Sequence, residues 1–179
     1  MEILWKSFIN FWRINFPFKI SRFPLYYAGK ILAIRHLKML DQTQIKLKPW
    51  GREIWFAHTD KYAGKILEVK KGQRYSLQYH ELKTETQYIV KGKARFIFGK
   101  DKENLQEKIL EEGDKIDVEP YTIHRLEAIE DTTVFEVSSP ELDDVVKIED
   151  DYGRSGKGND EKLDEELAIN PGVDPGVGS

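Results

Sequence analysis

Between Gln44 and Ser138 the chain consists of short runs in which apolar and polar residues alternate. The runs are rich in Ile, Val, Tyr and Phe, and Gly, Asp and Asn separate them, which is typical of β-strands joined by turns. The polar stretch FGKDKENLQEK predicts a hairpin loop between two strands. Strands that recur at roughly 8–12 residues predict an all-β domain, either an antiparallel sandwich or a barrel. Strands are predicted over residues 64–70, 73–80, 86–92, 93–99, 114–119, 124–130 and 133–139.

The two ends of the chain lack this alternation. Residues 1–38 mix aromatic residues with Lys and Arg, and helical periodicity is confined to residues 26–40. This segment suits a membrane interface, or it is an extension created by a start codon assigned upstream of Met39; both interpretations stay open. Recurrent cations and the lack of a clean apolar stretch disfavour a secretory signal. Residues 155–179, rich in Gly, Asp, Glu and Pro, predict a disordered tail, which leaves the ordered domain at residues 44–154.

Composition limits the classes of function. The chain has 179 residues and no cysteine, so any metal must be held by His, carboxylate or amide groups. No apolar run approaches the roughly 18 residues that span a membrane. The net charge is −3, but residues 1–38 hold seven cations and one acidic residue, so the remainder is strongly acidic. A uniformly basic nucleic-acid binder is therefore excluded, and we expect a cytoplasmic protein.

The stretch SLQYHELKTETQYIVKG carries the candidate chemistry. Gln78 and His80 are two residues apart, so on a strand their side chains share one face. A Gln-x-His pair by itself is most often a polar pair that faces solvent. Here Gly72 stands six positions before Gln78, Glu85 five positions after His80, and Gly92 seven positions after Glu85. This spacing is similar to the first motif of the cupins, G-x5-H-x-H-x4-E-x6-G, with Gln in place of the first His.

A second cupin motif, G-x5-P-x-G-x2-H, is matched in part. Gly113 and His124 lie at its separation, whereas Glu119 and Tyr121 occupy its inner Pro and Gly positions and Pro120 stands one place late. The resemblance implies an all-β fold, the double-stranded β-helix or jelly-roll barrel of the cupins.

The resemblance also implies a metal. When the two cupin motifs are matched position by position to this chain, the resemblance implies that a divalent ion is held by Gln78, His80, Glu85 and His124. One amide oxygen, two imidazole nitrogens and one carboxylate suit a borderline or hard cation. Zn²⁺ fits best, and Mn²⁺, Fe²⁺, Co²⁺ and Ni²⁺ stay open. Gln in place of a third His disfavours an oxygenase, because iron oxygenases usually present His-rich or two-His-one-carboxylate sites.

A narrower resemblance covers residues 46–154. The segments LKPWGREIWF, ILEVKKGQRYSLQYH, GDKIDVEPYTIHRLEA and VFEVSSPELDDVVKIEDDYGR resemble the phosphomannose isomerase type of cupin, which also forms the C-terminal part of bifunctional mannose-1-phosphate guanylyltransferases. The chain departs from that family at the motif itself. Only His80 remains of a common run of three His, Lys83 replaces an Arg, and Thr-Gln follows Glu85 in place of His-Trp.

This narrower resemblance implies aldose–ketose isomerisation of a sugar phosphate, mannose 6-phosphate to fructose 6-phosphate, in which a proton moves between C2 and C1 through an enediol. The reaction needs a base, and cations must hold the phosphate, for which the Arg fork is suited. The expected catalytic residues are Glu136, Arg125 and Lys48, and the expected substrate-binding residues are Arg74 and Lys83. The main alternative is a non-catalytic metal-containing cupin that binds a sugar or sugar nucleotide. A small-molecule oxygenase and a metal-free structural protein are further alternatives.

The expected partner is a small sugar phosphate, and no nucleic acid is expected. Contact with a membrane depends on residues 1–38. Barrels of this type often pair through an edge strand or a sheet face, so we expect a homodimer.

Overall fold

The structure, a computed structural model, describes residues 42–170, which form twelve strands, one 3-10 turn and one helix. The strands are β1 (Gln44–Lys48), β2 (Gly51–His58), β3 (Ala63–Val69), β4 (Leu77–Tyr79), β5 (Glu85–Lys91), β6 (Lys93–Gly99), β7 (Gln106–Glu111), β8 (Lys115–Val118), β9 (Ile123–Ala128), β10 (Thr132–Ser138), β11 (Val146–Glu149) and β12 (Gly156–Lys157). The 3-10 turn is Lys102–Asn104 and the helix, α1, is Glu161–Ile169. No helix among the described residues is long and apolar enough to cross a membrane.

The strands build two antiparallel sheets of six. The first sheet has the order β1-β2-β3-β10-β5-β8, and the second has the order β12-β11-β4-β9-β6-β7. Each predicted strand is present, with bounds moved by a few residues, and the 3-10 turn lies inside the predicted loop between β6 and β7. The alternation of apolar and polar residues therefore predicted the all-β class correctly.

The apolar core lies between the two sheets. Alternate residues of β3, β5, β6, β9 and β10 point inward, as the two-residue period of a strand requires. Trp50, in the turn between β1 and β2, also packs into the core, with its ring edge-on to Tyr75 and the centroids 6.2 Å apart. The buried apolar cluster comprises Trp50, Leu67, Val69, Tyr75, Ile89, Ala94, Phe96, Leu110, Val118, Leu126, Ala128 and Val134.

Gly92 makes the tight connection between β5 and β6. Its φ of +90° lies in the left-handed region, and an added Cβ would lie 2.4 Å from the Asp131 carbonyl oxygen. Only glycine therefore fits this position without strain or a clash with backbone. This explains the glycine that ends the first motif, since β6 must begin directly beside the chain that enters β10.

The structure corrects the prediction of a disordered tail over residues 155–170. Asp160 caps α1 by accepting a hydrogen bond from the Leu163 amide at 3.1 Å, and Leu167 packs against the barrel. The prediction of disorder rested on the small number of large apolar residues. Charged groups mainly hold this segment to the rest of the domain, as the contacts of Asp164 described below show. The predictions for residues 1–38, the periodicity at 26–40 and the tail beyond residue 170 lie outside the described residues.

Candidate metal centre and adjoining cavity

A row of polar side chains crosses the inner face of the first sheet. Lys65 on β3 pairs in register with Glu136 on β10, and Glu136 pairs with Gln87 on β5. All three residues are buried. Their side chains point into the barrel, as do those of the apolar core residues two positions away on the same strands. The interior of the barrel is therefore polar at one end and apolar at the other.

Two histidines and a glutamate converge beside this row. His80 follows β4, His124 lies on β9 opposite Gln78, and Glu85 begins β5. The Glu85 carboxylate lies 3.6 Å from His80 Nε2 and 3.3 Å from His124 Nε2. One ligand atom from each of the three residues lies within 4.8 Å of the others, and all three side chains are buried. The two sheets thus bring together residues that are far apart in the chain.

The histidine tautomers suit a metal. His80 Nδ1 donates to the Asp144 carbonyl oxygen at 2.5 Å, and His124 Nδ1 donates to the Thr122 carbonyl oxygen at 2.9 Å. Each Nε2 is then left with a free lone pair. Both Nε2 atoms and Glu85 Oε2 are buried without a hydrogen-bond partner, which is rare for buried polar atoms. Burial also lowers the pKa of His80, which favours the neutral ring that a metal requires.

The surroundings keep Glu85 ionised. Burial alone would raise its pKa, but Lys83 and the two histidines outweigh burial and hold the pKa of Glu85 well below its ordinary value. Lys83 Nζ lies 2.6 Å from Oε2, at an angle that makes an ion pair without a hydrogen bond. On the other side, Gln87 Nε2 donates to Oε1 at 2.8 Å, and the Tyr75 hydroxyl donates to Gln87 Oε1 at 3.0 Å. The carboxylate is therefore held from two directions.

Asp144 fixes the segment that follows His80. Its carboxylate accepts hydrogen bonds from the Leu82 amide at 2.6 Å and the Lys83 amide at 2.8 Å, while its carbonyl orients the His80 ring. Burial alone would raise the pKa of Asp144, but these amide donors outweigh it and lower the pKa. One residue of the closing DDVVKIEDDYGR segment thus positions both a ligand and Lys83, as outer-shell partners do in metal sites.

The three donor groups fit a divalent metal. Two imidazole nitrogens and a carboxylate suit Zn²⁺ or another borderline ion and leave coordination positions open. Gln78, the predicted fourth ligand, faces the cavity described next, but its Oε1 accepts a hydrogen bond from Ser76 Oγ at 2.8 Å. Gln78 as a ligand therefore stays a prediction, whereas His80, Glu85 and His124 are brought together.

Beside the metal centre the barrel encloses a cavity of about 40 Å³, room for roughly one water molecule. Lys83 and Gln87, which both contact Glu85, form its wall toward the metal centre. The charged residues that line the cavity are Lys48, Glu53, Lys65, Lys83, Glu136, Lys147 and Arg154. The lining itself holds five cations and two carboxylates, and three of the cations, Lys83, Lys48 and Arg154, pair with carboxylates outside the lining.

The charges around the cavity alternate in sign. Glu136 Oε1 lies 3.1 Å from Lys65 Nζ and 3.4 Å from Lys83 Nζ. Glu53 lies 3.9 Å from both Lys65 and Lys48, and its Oε2 accepts the Trp55 indole proton at 2.7 Å. Each buried charge therefore faces an opposite one, which its burial requires.

The predicted catalytic and substrate residues divide into two groups. Glu136, Lys48 and Lys83 line the cavity. The structure does not bring the other two there. Arg125 Nε donates to the Tyr75 carbonyl oxygen at 3.1 Å, and Arg74 Nε donates to Asp151 Oδ2 at 2.6 Å. Arg125 follows His124 directly, so its side chain leaves the opposite face of β9 and packs against the segment after β11.

Other cavity residues were not singled out from the sequence. Lys65, Glu53 and Gln87 were not predicted as site residues, because a charged or amide residue on a strand usually faces solvent. A signal was available in the alternation, since Lys65 stands two positions before Leu67 and four before Val69, both apolar. Charged residues in the inward phase of two neighbouring strands, with opposite signs, predict a buried pair.

Glu53 is expected to make stability depend on pH. Burial alone would raise its pKa, but Lys65, Lys48 and Trp55 outweigh burial and lower the pKa of Glu53 to about 2, from an ordinary 4.5. A depressed pKa in the folded state stabilises the protein above pH 4.5, and this contribution disappears as the pH falls toward 2. The shift corresponds to about 3 kcal/mol. The free energy of unfolding, measured by urea denaturation from pH 7 down to pH 2.5, should show the loss.

The control for this prediction is Glu53→Gln, which keeps the shape and removes the charge. The difference in unfolding free energy between the natural chain and E53Q should be largest above pH 5 and should shrink as the pH falls. A difference that stays constant across this range would contradict the assignment.

Comparison with known proteins gives a family match. A family model described as mannose-6-phosphate isomerase C-terminal matches residues 36–150. Mannose-1-phosphate guanylyltransferase ManC from Salmonella typhimurium strain LT2 is 32% identical over 112 residues, 60% of this chain and 22% of that protein. The chain thus spans about a fifth of the length of this relative.

Solved structures agree on the fold. The capsular polysaccharide assembling protein CapF from Staphylococcus aureus matches with a TM-score of 0.51 and 19% identity, over 62% of this chain and 35% of that one. Oxalate decarboxylase from Bacillus subtilis matches with a TM-score of 0.52 and 18% identity, over 59% of this chain and 30% of that one. At these identities the likeness concerns the fold alone, and it confirms the predicted cupin barrel.

Proposed function

The chain belongs to the mannose-6-phosphate isomerase C-terminal family, and on that premise we propose that it is a metal-dependent aldose–ketose isomerase that interconverts mannose 6-phosphate and fructose 6-phosphate. The observation that carries the proposal is the set of three buried ligand atoms of His80, Glu85 and His124, none with a hydrogen-bond partner, beside a cavity lined by cations. A divalent ion bound there would polarise the sugar oxygens and so acidify the neighbouring C–H bond.

Glu136 is the base of the proposed reaction. Isomerisation removes a proton from C2 and delivers one to C1, so a single carboxylate can accept the first proton and return it. Glu136 lines the cavity, and its Oε1 lies 3.4 Å from Lys83 Nζ and 3.1 Å from Lys65 Nζ. The two ammonium groups hold the carboxylate in place, as a general base requires.

Lys83 joins the base to the metal centre. Its Nζ contacts Glu85 at 2.6 Å and Glu136 at 3.4 Å, and the side chain is almost fully buried. A substrate whose reacting carbons lie beside Glu136 would therefore have its oxygens near this ammonium group. In this position Lys83 would stabilise negative charge that develops on an oxygen when the C–H bond breaks.

The second candidate function is a metal-containing cupin that binds a sugar or sugar nucleotide without turning it over. The chain lacks two of the three His common after Ser-Leu-Gln-x in the family, which favours this alternative. A metal-free structural role is disfavoured, because that role predicts that the ligand residues do not converge, and three of them do.

The test is turnover in D₂O. The chain loaded with one equivalent of Zn²⁺ or Mn²⁺ is incubated with mannose 6-phosphate, and the products are followed by NMR. We expect fructose 6-phosphate that carries deuterium at C1, because a proton held by Glu136 exchanges with solvent before it is returned. Mannose without the phosphate is the control and should react far more slowly. Full metal loading with no fructose 6-phosphate formed would refute the isomerase and leave the binding function.

The homodimer and the cytoplasmic location stay predictions. On the outer face of the first sheet, within residues 42–170, Phe56 stacks on Phe135 with the ring centroids 5.1 Å apart, and both rings are partly exposed. This is the sheet face that the proposed dimer would cover.

A further inference from the structure

Asp164 of α1 pairs with two cations that line the cavity. It is 2% exposed, the lowest value on the helix, and its two carboxylate oxygens make separate ion pairs. Oδ2 accepts from Lys48 Nζ at 2.6 Å and Oδ1 accepts from Arg154 Nη1 at 2.8 Å. Both cations line the cavity. An acidic side chain from the end of the described chain thus occupies the space between two cations of the candidate site.

The segment that carries Asp164 lies at the wall of the cavity. Arg154 and Asn159 from this segment form part of the lining, and α1 packs against β1, where Lys46 pairs with Glu161 at 2.6 Å. The enclosed volume of about 40 Å³ is far below the roughly 300 Å³ of typical ligand pockets. The space is therefore too small for a hexose phosphate, and binding requires residues of the lining to move.

If Asp164 moved away, the cations around it would outnumber the anions that remain. Lys147, which also lines the cavity, donates to the Gly158 carbonyl oxygen. Burial and, after it, the nearby Arg154 lower the pKa of Lys147, as expected where positive charge is concentrated. Asp150 forms a two-bonded pair with Arg154, with Nη2 to Oδ2 at 2.6 Å, and Glu53 is shared between Lys48 and Lys65. Lys147, and Lys48 with only its 3.9 Å contact to Glu53, are then left for an anion.

We propose that Lys48, Lys147 and Arg154 form the binding site for the phosphate monoester of the ligand, and that Asp164 occupies this site when no ligand is bound. Arg and Lys are the residues that bind phosphate oxygens through charge-assisted hydrogen bonds. A carboxylate and a phosphate compete for the same cations, so phosphate binding displaces Asp164 and releases α1. The identity of the ligand as a sugar phosphate rests on the proposed function; the anion site and its internal competitor do not.

Asp164 lowers the apparent affinity for the ligand, because binding must first displace its carboxylate from the cations. Neutralising Asp164 removes this competition. Glu166 offers a matched control: it lies on the same helix, its side chain is exposed, and its nearest cation is Lys162 at 3.8 Å. Asp164→Asn and Glu166→Gln are the same chemical change at a buried and at an exposed position.

The experiment measures binding of inorganic phosphate, and separately of mannose 6-phosphate, to the full chain by calorimetry. We expect D164N to bind phosphate about tenfold tighter than the natural chain, E166Q to bind as the natural chain does, and Arg154→Met to lose binding. Because D164N removes one carboxylate partner from each of two buried cations, phosphate should also raise its melting temperature more than that of the natural chain. Unchanged or weaker phosphate binding by folded D164N would overturn the proposal.

A second measurement needs no variant. Amide hydrogen exchange of residues 161–169 in the natural chain should accelerate when inorganic phosphate or mannose 6-phosphate saturates the protein. Exchange that stays the same or slows at saturation would also overturn the proposal. Tighter phosphate binding by D164N without any isomerase turnover would support the anion site and refute the isomerase. Turnover by the natural chain with no effect of D164N on phosphate binding would support the isomerase and refute the anion site.

Discussion

Replacing His124 with phenylalanine is expected to lower the affinity for a divalent metal by more than about 100-fold, beyond the 10–100-fold typical of losing an outer-shell partner. The ring of His124 stacks on Phe96 with the centroids 6.0 Å apart and lies edge-on to Tyr75. Phenylalanine keeps an aromatic ring at this position, larger by one atom, and removes both nitrogen atoms. The loss should therefore fall on metal binding, measured by calorimetry with Zn²⁺ and by elemental analysis of the purified chain, and turnover should disappear with the metal.

The control for this change is His58→Phe. His58 ends β2, is exposed, and its Nε2 contacts the Pro140 carbonyl oxygen at 3.0 Å. H58F should bind metal as the natural chain does. Far-UV circular dichroism should give the same spectrum for both variants. If H124F folds and still retains stoichiometric metal, then His80, Glu85 and His124 do not form the metal centre.

Replacing Glu136 with glutamine should lower kcat by about 10²–10⁴-fold, the usual contribution of a general base. The effect on KM should be small, because Glu136 is expected to act on the C–H bond and not on the phosphate. Metal content should be unchanged, since Glu136 does not belong to the three converging ligands. Retained metal together with lost turnover would show that Glu136 acts as the base and is not a metal ligand.

The same variant should also be less stable. Glu136 lies between Lys65 and Lys83, both buried, and breaking a buried ion pair commonly destabilises a protein by about 3–5 kcal/mol. Glu130→Gln changes an exposed glutamate in the turn before β10 and should alter neither turnover nor the midpoint of urea denaturation. A folded E136Q that retains kcat within a factor of about three would exclude Glu136 as the base.

Much of the fold was accessible from sequence because a strand has a period of two residues. The alternation from Gln44 to Ser138 predicted seven of the twelve strands, and the loop between β6 and β7 followed from its polar residues. His80, Glu85 and His124 were identified from the spacing of two motifs in a known family. The structure shows what this spacing achieves: Glu85 opens β5 in one sheet, and His124 lies on β9 in the other.

The structure brings only some of the predicted catalytic and substrate-binding residues to the cavity, because residue type does not report side-chain direction. Arg125 and Arg74 were chosen for their guanidinium groups, yet both face the segment around Asp151. Lys48 was chosen for its charge and does line the cavity, but its partner Asp164 lies 116 residues away in a segment predicted to be disordered. No local pattern relates these two residues.

The sequence by itself determined the all-β class, seven of the strands and the candidate ligands His80, Glu85 and His124. The class and the strands depend on a period along each strand, which is local, and the ligands on the spacing of two family motifs. Only the tertiary structure decided which charges face the cavity and that α1 pairs with two of them. A buried charge is stable only beside an opposite one, and the partners of Lys48, Lys65 and Arg154 come from other strands or from α1. Such pairings exist only after the chain has folded.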